Sequence, residues 1–388
     1  MKSPRRLAFL PALIALVFLA TACVGTVNPE GWAAPVFNGN NIYFLQSHNR
    51  LAQARIPSDN KTNLDWVFPD KNNAEQKNDK LQAVYGAPVI QDGVIYLTSY
   101  SGGVYALDQA TGKPKWHVTG STISGDVVGG AGVGAGVVAF GTTNGHLYVV
   151  NMSDGKPAPN WPKDGLTLSD GVWADPIEHN GTLYVATMGG DLFAYSVANG
   201  PGNPVWGEPF HTEGGGAIPD LALLDDTHLF VPSINRHVYV LDISNAAASR
   251  TQVDFKASDW VWTKPAFKNN VMYFGDFAGH IYAVDITGGP NGKMMWPQPA
   301  TADGNRVKSG PAIVDNVLVV ADRNPIVRFI DLQSGKQLNA VPITGNGTVR
   351  ADLETHGNEV YIVTTSGGLY IAHPDNRSVT EVQVGGRQ

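Results

Sequence analysis

Residues 87–116 read APVIQDGVIYLTSYSGGVYALDQATGKPKW, and the same order of residue types recurs along the chain. A proline opens the stretch, glycine-led segments with aromatic residues follow, and a tryptophan closes it. Apolar runs alternate with turn residues such as Gln91-Asp92-Gly93, because tight hairpins need residues that accept positive φ. The pattern predicts four short strands in which apolar and polar residues alternate.

This unit occurs eight times. The opening proline stands at Pro35, Pro88, Pro176, Pro219, Pro265 and Pro311, while Gly132-Val133 and Asp352-Leu353 hold its place in the other two units. The third predicted strand carries an aromatic residue at Tyr105, Tyr148, Phe193, Tyr239, Tyr282, Phe329 and Tyr370, with Leu51 in the first unit. The closing tryptophans are Trp66, Trp116, Trp161, Trp206 and Trp296.

Repeats of about 45 residues are typical of four-stranded propeller blades. Because one blade cannot bury both of its faces, neighbouring blades must stack and the ring must close. The sequence therefore predicts an all-β fold, a single eight-bladed β-propeller of four-stranded blades. We expect the last unit, ending near 379–384, to close against the first.

Composition excludes several classes of protein. The chain has 388 residues, 43% of them hydrophobic, which is enough apolar material for a large core and argues against disorder. Its formal net charge is −7, and no Lys/Arg cluster follows residue 6, so no nucleic-acid partner is predicted. The single cysteine, Cys23, excludes an intrachain disulfide and a cysteine-based zinc site.

The N-terminus has the pattern of an export signal. Lys2, Arg5 and Arg6 precede an apolar run of about 16 residues, which is shorter than the roughly 20 that span a bilayer. Cys23 directly follows small residues, as in a bacterial lipoprotein signal, although Ala20 stands where that pattern prefers leucine. The prediction is a signal peptide over 1–22, a lipidated tether over 23–30 and the propeller over 31–388, on the extracytoplasmic side of a bacterial membrane.

The repeat resembles the pyrroloquinoline-quinone (PQQ) propeller repeat, and the resemblance covers about residues 31–385. Two branches of that family compete. The quinoprotein dehydrogenases hold the quinone and a calcium ion at the centre, often against a disulfide, which this chain cannot form, and no set of ligands could be matched to theirs. The second branch contains small lipid-anchored propellers that resemble the scaffold subunit of the outer-membrane β-barrel assembly machinery (BamB-like), and the chain has their length and outline.

One set of aromatic residues is a candidate binding site. Counting back three residues from the opening proline gives Trp32, Tyr85, Trp173 and Trp262, with Gly216 and Lys308 in two further units. Equivalent positions lie on a ring about the propeller axis, so these side chains form a candidate binding rim at one mouth of the channel. Asp175, Lys264 and Asp220 flank three of the prolines, and we expect them to face water in the channel.

Other candidates are more simply explained by structure. The closing tryptophans are expected to pack between blades. His146, His237 and His280 share one repeat position at a hairpin away from the axis, so they are not predicted to ligate a metal. No Gly-x-Ser-x-Gly elbow occurs, and no catalytic residues, metal site or cofactor are predicted.

Three functional hypotheses follow. The leading one is a non-catalytic scaffold of the cell envelope, a monomeric propeller anchored through lipid on Cys23 and bound to an envelope or membrane protein. The second is an oxidoreductase that uses PQQ and calcium. The third is an envelope protein that binds sugars or peptides at the aromatic channel mouth.

Overall fold

The computed structural model describes residues 31–76, 79–100, 103–245 and 250–386. The predicted signal peptide, the tether and Cys23 lie outside these residues. The described part of the chain is a ring of eight antiparallel sheets, each built on a four-stranded plan whose outer strand is split into two segments in blades four and six, so the predicted eight-bladed propeller is confirmed. Among these residues no helix is long and apolar enough to cross a bilayer.

Each blade begins with its inner strand and ends with its outer strand. Blade one comprises β1 (Val36–Asn38), β2 (Asn41–Gln46), β3 (Arg50–Arg55) and β4 (Lys61–Phe68), and blade two comprises β5 (Val89–Gln91), β6 (Val94–Ser99), β7 (Gly103–Asp108) and β8 (Pro114–Thr119). Blade three comprises β9 (Gly132–Gly134), β10 (Val137–Gly141), β11 (His146–Asn151) and β12 (Leu166–Thr167). Blade four comprises β13 (Ile177–His179), β14 (Thr182–Ala186), β15 (Asp191–Ser196), β16 (Gly200–Pro204) and β17 (Phe210–His211).

The second half of the ring repeats this order. Blade five comprises β18 (Ala222–Leu223), β19 (His228–Pro232), β20 (His237–Asp242) and β21 (Arg250–Lys256). Blade six comprises β22 (Ala266–Lys268), β23 (Val271–Gly275), β24 (His280–Asp285), β25 (Lys293–Met294) and β26 (Ala300–Thr301), and blade seven comprises β27 (Ala312–Val314), β28 (Val317–Ala321), β29 (Ile326–Asp331) and β30 (Gln337–Pro342). Blade eight comprises β31 (Glu354–His356), β32 (Glu359–Val363), β33 (Leu369–His373) and β34 (Ser378–Glu381), and β35 (Gln383–Gly385) follows it. Two short 3-10 turns, Gly120–Thr122 and Glu213–Gly215, lie between blades.

The hairpins form as the turn residues predict. Between β5 and β6, Asp92 and Gly93 both have positive φ, 51° and 74°, and Gln91 pairs with Val94 directly across the turn. A two-residue turn with this backbone has the twist that adjacent antiparallel strands need. The position of most hairpins is therefore set locally by such residues, although in blade five the longer connection 224–227 contains no residue with positive φ.

The predicted alternation of apolar and polar residues is wrong for the second and third strands. In β6, Ile95, Leu97 and Ser99 are buried, but so are Tyr96 and Thr98 on the opposite face. These strands lie in the middle of a blade that is covered by a neighbouring blade on each side, so both faces need apolar residues. Alternation survives in outer strands such as β30, where the edge of the blade meets solvent.

The hydrophobic core is divided among the blade interfaces. Eight clusters of buried residues occur, one at each junction between successive blades, including the junction between blade eight and blade one. In that last cluster Ile42 and Phe44 of blade one pack with Tyr361 and Ile371 of blade eight. Each blade is thus held by its two neighbours rather than by a core of its own.

The closing tryptophans pack between blades, as predicted, and four of the five use the indole N–H to reach the next blade, while Nε1 of Trp206 is buried without a hydrogen-bond partner in the described residues. Trp66, Trp116, Trp161 and Trp296 donate from Nε1 to backbone oxygens of Gln109, Met152, Val197 and Leu332. Three of these indole rings lie against a glycine in the turn between the third and fourth strands of the next blade. These glycines are Gly112, Gly155 and Gly335. A side chain there would collide with the ring, which explains why tryptophan and glycine recur together.

The ring closes between the last and first units, as expected, through an added strand. β35 runs parallel to β4 at the outer edge of blade one, with Gln383 opposite Lys61 and Gly385 opposite Asn63. Blade one therefore has five strands, and the end of the chain secures its beginning.

Candidate functional site at the mouth of the channel

The four aromatic residues of the predicted rim line a single cavity. Trp32, Tyr85, Trp173 and Trp262 all contribute to a space of about 380 Å³ to which every blade contributes lining residues. A cavity bordered by all eight blades must lie on the propeller axis. The structure therefore brings the predicted residues together, and ligand binding by them remains a prediction.

The same repeat position supplies two cations. Three residues before the opening position, blades seven and eight carry Lys308 and Arg350. Lys308 Nζ lies 4.5 Å from the ring centre of Trp32 and 4.9 Å from that of Trp262, and Arg350 Cζ lies 5.0 Å from the Trp32 ring. Both cations thus lie over aromatic faces, where the ring quadrupole attracts positive charge.

The rim residues form a ring that we call the mouth ring. Its members, matched by strand register and given in blade order, are Trp32, Tyr85, Val128, Trp173, Ile218, Trp262, Lys308 and Arg350. All but Ile218 line the cavity, and the predicted Gly216 falls outside the ring because Pro219 lies two residues before the position of the other opening prolines. Sequence reasoning missed Arg350 because blade eight has no opening proline from which to count back, and counting from Leu353 finds it.

Charged residues lie two positions further along the chain, about 7 Å deeper for an extended segment. We call Asp175, Asp220, Lys264 and Asp352 the charged floor. Lys264 Nζ lies 3.3 Å from Asp175 Oδ2 and 4.0 Å from Asp220 Oδ1. These residues line the channel cavity and also pair with one another, because the ring geometry brings blades four, five and six close enough for ion pairing.

Backbone groups hold two of the floor carboxylates. Gly130 donates its N–H to Asp175 Oδ1, and Gly310 donates its N–H to Asp352 Oδ1 at 2.6 Å. A Cβ atom on either glycine would lie within 3.0 Å of the carboxylate it binds. Glycine at these positions lets the backbone approach closely enough to fix the acid.

Burial and mutual charge shift the pKa values of the floor. Burial alone lowers the pKa of Lys264, but the carboxylates of Asp175, Asp220 and Asp352 outweigh it and raise this pKa above its ordinary value. Burial raises the pKa values of Asp220 and Asp352, although Lys264 opposes the shift. Burial also raises the pKa of Glu354, beside the floor, to about 7, and Asp352 adds to this.

Lys308 at the mouth is in the opposite situation. Burial, together with the positive charges of Arg350 and Arg323, lowers the pKa of Lys308 to about 8. Within the described ranges neither Lys308 nor Arg350 forms an ion pair or donates a side-chain hydrogen bond to the protein. The mouth therefore holds uncompensated positive charge above a floor of net negative charge.

An aromatic strip extends from the mouth to the surface. Trp262 stacks with Phe277 at 5.9 Å between ring centres, and Trp260 lies 6.1 Å from Phe277. Arg306 covers Phe277 at 5.7 Å. Trp260 is 45% exposed, and in the part of the chain that the structure describes only Met295 is a comparably exposed large hydrophobic residue. This strip depends on loop packing, and no repeat signal in the sequence predicted it.

The histidines of the third strands lie on separate blades, each with its own partners. His237 contacts Asp254 at 2.6 Å, His280 contacts Asp276 at 3.3 Å, and His146 contacts the backbone oxygen of Asn144. Within the ranges that the structure describes, no group of three or more potential ligands is arranged to hold a metal ion.

Comparison with known proteins gives a consistent family. Residues 30–117, 70–160 and 196–386 match the family described as outer membrane protein assembly factor BamB. BamB of Xanthomonas campestris pv. campestris is 31% identical over 373 residues, which cover 88% of this chain and 84% of that protein. BamB of Legionella pneumophila strain Paris is 27% identical over 117 residues, 28% of this chain and 29% of that protein.

Solved structures share the fold. The crystal structure of BamB from Moraxella catarrhalis has a TM-score of 0.66 at 16% identity, covering 87% of this chain and 93% of that one. The computationally designed protein Ika8 has a TM-score of 0.64 at 15% identity, covering 88% and 96%. At such identities these likenesses establish the propeller alone. The family match and the Xanthomonas relative go further, and by them the chain belongs to the outer membrane protein assembly factor BamB family.

Proposed function

We propose that this protein is a non-catalytic scaffold in outer-membrane protein assembly, which holds partner proteins on the propeller face that surrounds the channel mouth. The observation that carries the proposal is the match to the BamB family over most of the chain. Relatives that bear this name are assembly factors by description, and a propeller offers a rigid surface of loops on which partners dock.

The mouth face has the composition of a docking surface. Trp260, Phe277 and Arg306 form an exposed strip beside the mouth, and aromatic residues with arginine are the side chains most enriched at interface hot spots. Covering an exposed tryptophan with a partner is favourable, because burial of a large apolar side chain lowers the free energy of the complex. The partner we propose is a protein of the cell envelope.

A quinone–calcium centre does not fit the residues on the axis. Calcium prefers several carboxylate and carbonyl oxygens around one point. Three carboxylates do meet here, but the ammonium group of Lys264 lies among them and occupies the position that a cation would need. We therefore propose that the protein is not a PQQ-dependent oxidoreductase, and no cofactor chemistry is assigned to it.

The place of the protein in the cell is also a proposal. The relatives named above are outer-membrane assembly factors, which supports a location in the cell envelope. The signal pattern over 1–22 and the position of Cys23 support export and a lipid anchor on Cys23. We further propose that the propeller is monomeric, because the ring closes within one chain.

Site-specific crosslinking in cells tests the docking face. A photo-crosslinking residue replaces Trp260 in one strain and Met295 in another, since the two side chains are almost equally exposed, at 45% and 47%, and lie in the same blade. Met295 directly follows β25 at the outer side of blade six, away from the channel mouth. Crosslinking at this position therefore shows how much capture results from exposure of the side chain alone.

The proposal expects position 260 to capture one envelope protein in near-stoichiometric amount. A strain that lacks this protein should also contain less folded outer-membrane protein. Expression of the wild-type protein in that strain should restore the amount of folded outer-membrane protein more fully than expression of a Trp260→Ser variant. Equal capture at position 295, or full rescue by Trp260→Ser, would remove the mouth face from consideration. A normal amount of folded outer-membrane protein in the deletion strain would contradict the assembly function itself.

A further inference from the structure

The positive charges of the mouth lie in one continuous arc. Lys308 and Arg350 belong to successive blades, Trp262 precedes them in blade six, and Trp32 and Tyr85 follow in blades one and two. Trp32 and Tyr85 are themselves 4.2 Å apart between ring centres. Two cations are therefore bordered by aromatic faces on both sides, and all five side chains border the same cavity.

The protein leaves these cations without an anion. The carboxylates of the charged floor are engaged by Lys264 and by backbone N–H groups. Neither mouth cation has a carboxylate within ion-pairing distance in the described residues. Two like charges held together in a partly buried site destabilise the fold, so a bound anion would relieve that repulsion.

Charge and size narrow the class of anion. The cavity is lined by three cationic side chains, Lys264, Lys308 and Arg350, and by three carboxylates, Asp175, Asp220 and Asp352. A dianion such as phosphate would be repelled by the floor more strongly than a single carboxylate. The cavity of about 380 Å³ lies at the small end of the range for ligand sites, so it takes one ring-sized group and its charge.

We propose that the mouth is a binding site for a carboxylate carried beside an aromatic or apolar group, with Lys308 and Arg350 binding the carboxylate and Trp32 and Trp262 contacting the apolar body. Arg350, already oriented by the Trp32 face, offers a planar donor fork that matches a carboxylate. The source of the carboxylate is an acidic segment of a partner protein or a free small molecule. Only the first source rests on the proposed scaffold function.

Calorimetric titration of the purified full chain tests the site with matched probes. 3-Phenylpropionate and 3-phenylpropionamide differ only in charge, acetate lacks the ring, and phenyl phosphate adds a second charge. The peptides acetyl-Ala-Trp-Glu-Ala-amide and acetyl-Ala-Trp-Gln-Ala-amide test a chain-borne carboxylate. We expect phenylpropionate to bind about tenfold or more tightly than its amide, because charge-assisted hydrogen bonds to buried cations discriminate by at least that factor.

Variants assign the binding to the two cations. Lys308→Gln and Arg350→Gln should each weaken phenylpropionate binding about tenfold. Lys156→Gln is the matched control, because Lys156 is exposed and pairs only with Asp154 outside the cavity. Near-ultraviolet circular dichroism of each variant shows whether the tryptophan packing is intact, so that loss of binding is not confused with loss of fold.

The outcomes separate the proposals. Preference for the Glu peptide over the Gln peptide, lost in the variants, identifies a partner segment as the source. Preference for phenylpropionate alone identifies a small-molecule site, which stands even if crosslinking finds no partner. Equal binding of the charged and neutral probes, tightest binding of phenyl phosphate, or unchanged binding in both cation variants would overturn the carboxylate site.

Discussion

Lys264 Nζ lies 3.3 Å from Asp175 Oδ2, and the two residues come from blades four and six, so this contact reaches past blade five at the channel axis. Asp220 of blade five completes the group at 4.0 Å from the same nitrogen. One ammonium thus stabilises carboxylates from several blades, and the axis of the ring is held by charge where the blade interfaces are held by apolar contacts.

Removing that ammonium should destabilise the propeller. Lys264→Met leaves three carboxylates facing one another, which costs about 2–3 kcal/mol at pH 7.5 after allowing for the partly exposed site. The loss should be smaller at pH 5, because the raised pKa values of Asp220 and Asp352 let them take up protons there. Urea unfolding at the two pH values measures the difference. Adding Asp220→Asn should restore part of the stability, and an equal loss at both pH values would contradict the electrostatic explanation.

The glycine that faces Trp296 gives a second prediction. Gly335 has a φ of 73°, and a Cβ atom on it would lie 2.6 Å from Cδ2 of Trp296. Gly335→Ala should therefore lower the free energy of unfolding by about 3 kcal/mol, from backbone strain together with overpacking. Gly39 also has a positive φ, 58°, but nothing lies within 4 Å of an added Cβ. Gly39→Ala should cost only about 1 kcal/mol, and equal losses would show that strain alone matters.

The blades could be predicted from sequence because their determinants are local. Hairpin residues such as Gly93 recur in most units and closing tryptophans in five of the eight, so weak signals reinforce one another. The rim at Trp32 and Trp262 followed for the same reason, since equivalent positions of a closed ring face one axis. The predicted alternation failed in strands such as β6 because burial there is set by neighbouring blades, which a single unit does not reveal.

The charges of the mouth were harder to predict. Arg350 was missed because its unit lacks the proline that marks the register, and Lys308 was noted only as an exception to the aromatic pattern. The ion pairs of Lys264 join different units, so no spacing in the sequence predicts them. Trp260 and Phe277 meet through loop packing beside the mouth, and the repeat does not specify loops.

The lipid anchor that we propose at Cys23 can be tested apart from the fold. Cys23→Ser should release the protein from membranes into the soluble envelope fraction, because the acidic chain then has no acyl chains to hold it near anionic lipid. Cell fractionation with immunoblotting measures this, and the circular dichroism of the released protein should equal that of the wild type. A Cys23→Ser protein that stays in the membrane fraction after high-salt washing would contradict anchoring through this residue.

Glu354 should give stability a distinct pH dependence. Its folded pKa is about 7, above the ordinary 4.5, because burial and Asp352 disfavour the charged form. The folded state therefore binds the proton more tightly than the unfolded state, and stability falls as pH rises from about 4.5 to 7. Glu354→Gln removes this loss, so the variant should exceed the wild type by about 1–3 kcal/mol at pH 8 and equal it at pH 4. Urea unfolding across this range measures the gap, and a gap independent of pH would show that the effect is steric.

Lys308 should show the opposite dependence on pH. Its folded pKa is about 8 against an ordinary 10.5, so the folded state disfavours the charged form and loses stability as pH falls from 10.5 to 8. Lys308→Met should therefore stabilise the protein by about 1–2 kcal/mol at pH 7, net of the lost contacts with Trp32 and Trp262, and the gain should vanish near pH 10.5. Urea unfolding of both proteins at these pH values measures it.

The same titration should appear in ligand binding. A carboxylate bound at the mouth favours the charged form of Lys308, so at pH 8 binding of 3-phenylpropionate should take up a fraction of a proton, and the measured enthalpy should vary with the ionisation enthalpy of the buffer. In Lys308→Met the buffer dependence should disappear. If Lys308 destabilises the ligand-free protein and takes up a proton when the ligand binds, it behaves as a binding residue. Such residues reduce the stability of the free protein because their charge is needed for the ligand. Buffer-independent enthalpies in the wild type would instead mark Lys308 as a structural charge unconnected with binding.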